Sequence, residues 1–195
     1  MKLIVGLGNP GEKYANNRHN VGFQFLDFLI ENLSLEIQKS NIKSQNYSAK
    51  FKNNKYLQSV VAEFKKLFVL AKPLTFMNKS GAAVKKCVTC YMLHAQSDLI
   101  VIHDDLDIPL GKFKIQSGTG PQLHNGVESI EAALKTKDFL RIRIGVDNRS
   151  PDNRIDGETY VLQDFENEEK RLITGSVFLK ILKHPLFSFF NKKKT

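Results

Sequence analysis

Four short stretches hold the side chains that can do chemistry. "GNPGEKYANNRHN" (8–20) carries Asn9, Tyr14, Arg18, His19 and Asn20. "KPLTFMNKSG" (72–81) carries Phe76, Met77 and Asn78. "VIHDDLD" (101–107) carries His103, Asp104, Asp105 and Asp107, and "LHNG" (123–126) carries His124 and Asn125. A histidine with a carboxylate partner makes a general base at neutral pH. The unperturbed imidazole pKa is about 6.5, and a carboxylate on the second ring nitrogen fixes the tautomer and stabilises the imidazolium. A loop histidine is more often a surface residue than a catalyst, but His19 has an acidic run elsewhere in the chain that can serve it. That run follows an apolar strand, where carboxylates tend to face a cleft; its plainer reading is a solvated turn before Pro109. Asn78 offers one acceptor and two donors to an amide substrate, against a turn with two apolar plugs. Asn125 does the same, against simple N-capping of a helix.

Two other chemistries fit less well. Carboxylates and histidine bind divalent ions, but no H-E-x-x-H pattern occurs. Cys87 and Cys90 lack a second pair and read as small core residues on a helix. "IVGLGNPG" (4–11) matches G-x-G-x-x-G through Gly6, Gly8 and Gly11, the string of a dinucleotide loop. That fingerprint needs a helix opening within the loop and an acidic residue at the end of the next strand. Here Pro10 and the polar stretch up to Asn20 delay the helix, and Glu31, at about the right spacing, falls inside it. The other reading is a tight strand-to-loop turn with close backbone approach.

The elements that must position these residues follow from hydrophobic period. Residues 2–7 read as a buried strand and 21–33 as a helix, with Val21, Phe25, Phe28, Leu29 and Leu33 on one face and Asn20 as N-cap. Residues 34–46 are polar and weakly patterned. Strands are expected at about 47–52, 55–62 and 65–71, with "NNK" (53–55) as the hairpin turn between the first two. A helix over 80–93 capped by Ser80, a strand over 98–105, an alternating strand over 111–118, a helix over 124–136 and a strand over 139–147 follow. Residues 148–158 form a polar loop, and 166–183 an amphipathic helix with acidic residues in its first turn. The pattern predicts a single α/β domain over 1–195, a twisted mixed β-sheet flanked by helices, with 186–195 as a flexible basic tail. Its ligands should gather beyond the carboxyl ends of the strands.

The chain has 195 residues and a formal net charge of +9. Hydrophobic residues make up 42%, enough for a real core, which excludes a disordered chain. Two cysteines argue against a disulfide scaffold, and no signal or membrane-spanning run is apparent, so a cytoplasmic address is expected. The charge points to a polyanionic partner, nucleic acid first. Lys112, Lys114, Arg141 and Arg143 could line one basic, phosphate-binding face.

Taken together, "IVGLGNPGEKYANNRHNVG" (4–22), "KPLTFMNKSGAAV" (72–84), "HDDLDIPLGKFKIQSG" (103–118), "HNGVESI" (124–130), "RIRIGV" (141–146) and "YVLQDF" (160–165) resemble the bacterial-type peptidyl-tRNA hydrolase family, in the family's order. The resemblance implies a monomeric α/β hydrolase without metal or cofactor that cleaves the ester between a peptide and the 3′-terminal ribose of tRNA. By matching positions, His19 is the general base and Asp104 its orienting carboxylate. Asn9, Asn78 and Asn125 are the site amides, Tyr14, Phe76 and Met77 line the pocket, and Lys112, Lys114 and Arg143 hold tRNA phosphates. The chain departs from the family at Pro121, Gln122 and Leu123, where glycines are usual, at Glu128 in place of a lysine, at Asn17 in place of a threonine, and at "DNRSP" (147–151). A non-catalytic RNA-binding relative of the same fold, a nucleotide-dependent oxidoreductase and a basic structural protein are the competing readings.

Overall fold

The computed structural model describes residues 1–39, 50–64, 67–150, 152 and 155–187, with side chains given outside 34–39. Four apolar runs form the parallel centre of the sheet: β1 (Lys2–Gly6), β4 (Phe68–Pro73), β5 (Leu99–Pro109) and β7 (Leu140–Asp147). Helices cover both faces of these strands, so both alternating sets of side chains must be apolar. β2 (Lys52–Asn54), β3 (Ser59–Phe64) and β6 (Phe113–Ser117) add antiparallel edges. Among the described residues this gives one mixed seven-stranded sheet in the order β2-β3-β4-β1-β5-β7-β6.

The helices α1 (Val21–Lys39), α2 (Ser80–Cys90), α3 (Ala95–Asp98), α4 (Asn125–Leu134), α5 (Gly157–Val161), α6 (Asn167–Leu172) and α7 (Leu179–Lys183) complete the chain. One core joins Ile4, Ile100, Ile102, Ile142 and Ile144 of the sheet to Phe25, Leu26 and Leu29 of α1 and to Phe178 and Ile181. The other joins Leu3, Val5, Val69, Leu99 and Val101 to Val84 and Cys87 of α2 and Val127 and Ile130 of α4. Period-2 alternation along β1 thus feeds odd residues to one core and even residues to the other.

Several expected boundaries move, each for a local reason. α1 continues to Lys39, past the expected end at 33. Asn53 and Asn54 belong to β2 rather than to the hairpin turn. The turn falls at 55–58, where Asn54 Oδ1 accepts from Leu57 N–H and Gln58 takes a left-handed φ of 50°. The expected strand at 47–52 begins outside the described residues. Asn20 does not cap α1, because its amide is spent on the backbone of Asn9. Ser80 makes no cap either, and its hydroxyl is buried without a partner. Residues 167–183 are one continuous helical stretch, α6 and α7 joined by a π-helical segment at Ile173–Phe178. Glu169 opens it by accepting from Glu166 N–H at 2.8 Å. The tail expectation is corrected at its start: Pro185–Phe187 form a 3-10 turn, and Phe187 is fully buried with its ring 5.8 Å from Phe25. Burying one such side chain stabilises by about 1.5–3 kcal/mol, enough to offset ordering a residue or two. Residues 188–195 lie outside the described residues.

The glycines of "IVGLGNPG" serve packing. A Cβ on Gly6 would sit well inside contact distance of the Gly22 carbonyl at the start of α1, and one on Gly8 would come within 2.7 Å of the Phe23 ring. Gly11 has φ 107° and open space around it, so it is needed for backbone conformation alone. Close strand-to-helix approach, not phosphate binding, sets this spacing. Gly6→Ala is therefore expected to destabilise the fold by about 1–3 kcal/mol or more, since the obstacle is backbone and cannot swing away. Urea unfolding at 25 °C measures it, and a loss under 0.5 kcal/mol would mean α1 slides freely on β1.

Candidate active site

Three strand ends converge beyond the carboxyl edge of the sheet. β1 runs out into Asn9, β4 into Phe76, Met77 and Asn78, and β5 carries Asp104. Asn20 binds them from below: its Oδ1 accepts from Asn9 N–H and its Nδ2 donates to Asn9 O, both at 2.9 Å. Asn9 in turn accepts from Met77 N–H through Oδ1 at 2.9 Å. That bond fixes the amide's orientation and leaves its Nδ2 donors free at the cleft wall.

His19 sits between Arg18 and Asn20 in a 3-10 turn whose three side chains are all buried. Its Nδ1 lies 2.9 Å from both carboxylate oxygens of Asp104, which leaves Nε2 as the ring nitrogen open to the cleft. Asp104 is 2% exposed and has a second imidazole partner, His124 Nε2, at 2.9 Å from Oδ1. His124 is the N-cap of α4, and its Nδ1 accepts from Gly126 and Val127 N–H at 3.1 and 3.3 Å. Because Nδ1 accepts, the proton of His124 sits on Nε2 and points at Asp104. Asp104 therefore receives an N–H from each side.

The electrostatics follow from this arrangement. Burial alone would push the Asp104 carboxyl up, but the charge and hydrogen bond of His19 and the hydrogen bond from His124 hold it well below the usual carboxylate range. Burial lowers the His19 pKa, yet the charge and hydrogen bond of Asp104, with a smaller contribution from Glu158, outweigh it and raise it above the ordinary imidazole value. His103 lies behind the pair, fully buried, its Nδ1 on the carbonyl of Asp104 at 2.6 Å. Burial, together with neighbouring His124, drives its pKa well down, so it is a neutral spacer.

The cleft above His19 has a volume of about 520 Å³. It is lined by Asn9, Phe76, Met77, Asn78 and Asn125, and also by His124, Leu106, Leu123, Glu128, Glu158 and Val161. Asn78, Asn125 and Phe76 are exposed at its surface, while Met77 is buried. Tyr14 does not line the cleft. It stands at the rim, edge-on to Phe76 with ring centroids 6.4 Å apart.

The basic row predicted on β6 and β7 divides. Lys112 and Lys114 are exposed. Arg143 is 6% exposed and its guanidinium is consumed: Nε donates to Asp105 at 2.6 Å, Nη1 to Gln116 at 2.6 Å, and Nη2 lies 3.6 Å from Asp107. Arg141 is buried too, paired with Glu131 at 2.9 Å and donating to the carbonyls of Gly120 and Lys137. β7 lies inside the sheet, so its alternate residues are covered rather than solvated. This corrects the expectation for both arginines.

His19, Asp104 and His124 form the one group among the described residues whose donor atoms lie close enough, within 4.8 Å, to hold a metal. The donor chemistry fits poorly. A metal on His124 Nε2 would require its Nδ1 to carry a proton, and Nδ1 already accepts from two backbone N–H groups.

Sequence reasoning missed two features. The second imidazole on Asp104 gave no signal beyond the "HNG" helix start, where capping by Asn125 was the plainer alternative to its role in the site and His124 is the actual cap. The burial of Arg18 against Tyr160, Phe165 and Glu169 had no local signal at all.

A family model described as peptidyl-tRNA hydrolase matches residues 3–187. A peptidyl-tRNA hydrolase of Halalkalibacterium halodurans is 42% identical over 182 residues, 92% of this chain and 89% of the relative. One of Thermodesulfovibrio yellowstonii is 43% identical over 178 residues, covering 91% and 87%. Among solved structures, peptidyl-tRNA hydrolase from Acinetobacter baumannii superposes with a TM-score of 0.71 at 30% identity, covering 90% of this chain and 82% of that one. With its fold, its strand-end cleft and the near full-length match in agreement, the chain belongs to the peptidyl-tRNA hydrolase family.

Proposed function

We propose that His19 is the general base for hydrolysis of the ester between a peptide and the 3′-terminal ribose of tRNA. The observation that carries this reading is the His19 Nδ1–Asp104 contact at 2.9 Å, with Nε2 open at the floor of a cleft walled by asparagines. Nε2 takes a proton from water as its oxygen bonds to the ester carbonyl carbon. The tetrahedral intermediate then collapses, the C–O bond to the ribose breaks, and the imidazolium returns its proton to the departing 3′ oxygen. The products are a free peptide carboxylate and a tRNA with its 3′ hydroxyl restored. Water is the nucleophile, so no acyl-enzyme forms.

The free Nδ2 donors of Asn9 suit the developing oxyanion or the peptide carbonyl. Asn78 and Asn125 suit the peptide amide, the group that separates this substrate from aminoacyl-tRNA with its free amine. Polar groups left unpaired by the wrong substrate discriminate strongly. Phe76 with Tyr14 at the rim, and Met77 deeper, supply apolar walls. Lys112 and Lys114 hold acceptor-stem phosphates without reading sequence. Arg143 instead braces Asp105 and Asp107 beneath them. Among the described residues no helix is long and apolar enough to cross a membrane. A monomer acting in the cytoplasm, where translation supplies the substrate, completes the reading.

The test pairs two substrates, N-acetyl-aminoacyl-tRNA and unblocked aminoacyl-tRNA, each with and without EDTA. Release of the acyl group from the blocked substrate only, undiminished by EDTA, is the expected result. Binding without release would favour the non-catalytic RNA-binding reading, and loss of activity with chelator would overturn water activation by the histidine alone.

A further inference from the structure

Resting on the reading of His19 as the base, we propose that Arg18 is a positioning residue, and that its buried pair with Glu169 holds His19 in register with Asp104. Arg18 and His19 are consecutive in one short turn, so their backbones move together. Arg18 is 4% exposed, and its guanidinium lies over the Tyr160 ring at 4.4 Å and the Phe165 ring at 5.3 Å and meets Glu169 Oε2 at 2.5 Å. It also donates to the carbonyl of Asp164, and its backbone N–H donates to Gln163 O at 3.0 Å. Next to it, Asn17 Nδ2 donates to Asp164 Oδ1 at 2.6 Å.

The far side of this anchor belongs to the cleft. Gly157, Glu158, Val161 and Leu162 line it, from α5 and the residue after it, and Tyr160, from the same helix, stacks on Arg18. Glu169 also accepts from Asn148 Nδ2 at 3.4 Å, and Tyr160 Oη accepts from Asn148 N–H at 3.0 Å. The base and the α5 side of the cleft, more than 140 residues apart in sequence, are thus tied by a network whose centre, Arg18, Tyr160 and Glu169, is buried. On the other flank Asn20 clamps Asn9, so His19 is held from both sides. A fork of donors fixes direction as well as distance, which a point charge does not.

The test uses two variants of the full chain. Arg18→Met/Glu169→Gln removes both charges together, avoiding an uncompensated buried ion, and Gln keeps an acceptor for Glu166 N–H. Arg18→Lys keeps the charge without the fork. The double variant is expected to melt within about 8 °C of wild type. Its kcat on N-acetyl-aminoacyl-tRNA should fall about 10- to 100-fold, the cost of misplacing a catalytic group by an ångström, with KM within about threefold. NMR titration of the His19 imidazole should move to lower pH, because distance from Asp104 removes the influence that raises it. Arg18→Lys should recover part of the kcat and part of the shift. A folded double variant with kcat within twofold of wild type, or a loss of kcat with the His19 titration unmoved, overturns the proposal. If the double variant does not fold, Arg18→Lys carries the same readouts. If wild type fails to release the acyl group, the proposed function falls, while the His19 titration still decides the positioning role.

Discussion

His19→Ala is expected to lower kcat for release of N-acetyl-amino acid from tRNA by about 10³-fold, within the range a positioned acid–base group supplies. Nε2 of His19 is the imidazole nitrogen that opens on the cleft, since both nitrogens of His124 are engaged and His103 is fully buried. Asp104 is enclosed between its two imidazoles; Glu128 and Glu158 also line the cleft, and the size of the loss on removing His19 separates it from them as the base. KM should change little, because the asparagines and the apolar wall remain. The folded state loses some stability, since Asp104 stays buried with one N–H donor in place of two. Single-turnover assays at saturating enzyme separate the chemical step from binding. A fall of less than tenfold would remove His19 from the mechanism.

How far the site was legible depends on the sequence separation of its partners. β1, α1, β5 and β7 announced themselves because their apolar period is local. The strand ends therefore pointed to the edge of the sheet where the cleft with Asn9, Asn78 and Asp104 lies, while Asn125 came from the helix start and the resemblance. What stayed hidden were side chains whose fate is set by residues far away. Asn20 looks like an N-cap in any local reading. Its actual partner, Asn9, is across a loop, and two hydrogen bonds to one backbone outcompete a cap. Arg141 and Arg143 alternate with apolar residues as on a solvated strand. They are buried because β6 adds outside β7 and because Glu131 and Asp105 stand ready to pair with them.

The glycine motif shows the same limit in reverse. The string was local and complete, and its meaning lay in α1, whose first residues press against Gly6 and Gly8. Spacing alone does not distinguish glycines that admit a phosphate from glycines that admit a helix. The long polar stretch before α1 did distinguish them, because it removed the helix N-terminus from the loop.

Asp104→Asn should cost as much as losing the base, through the tautomer rather than through charge alone. His124 holds its proton on Nε2, since its Nδ1 accepts from Gly126 and Val127 N–H. An asparagine at 104 must turn its carbonyl oxygen to that N–H. Its amino group then stands at hydrogen-bond distance from His19 Nδ1, which favours a lone pair there and the proton on Nε2 over sharing the Oδ1 acceptor with His124. In the proposed mechanism Nε2 accepts a proton from water, so the variant shifts the base toward the wrong form. The corresponding change in a serine protease triad costs about 10⁴-fold in kcat, and a loss on the order of 10³- to 10⁴-fold is expected here. The remaining activity should rise at lower pH than in wild type, because the His19 pKa is raised by the charge of Asp104. Combining the change with His19→Ala should add little, as for residues acting as one unit.

Stability follows the same pair with a definite sign. The depressed pKa of Asp104 stabilises the fold above its unfolded value of about 4, and that contribution is lost as pH falls below it. The raised pKa of His19 stabilises below about 6.5 and is lost as pH climbs through the folded value. The gap in urea stability between wild type and Asp104→Asn should therefore be widest between about pH 4 and 6.5, and narrow on either side. A gap that is constant from pH 3 to 9 would mean that the two imidazoles and the carboxylate do not share charge in the folded protein.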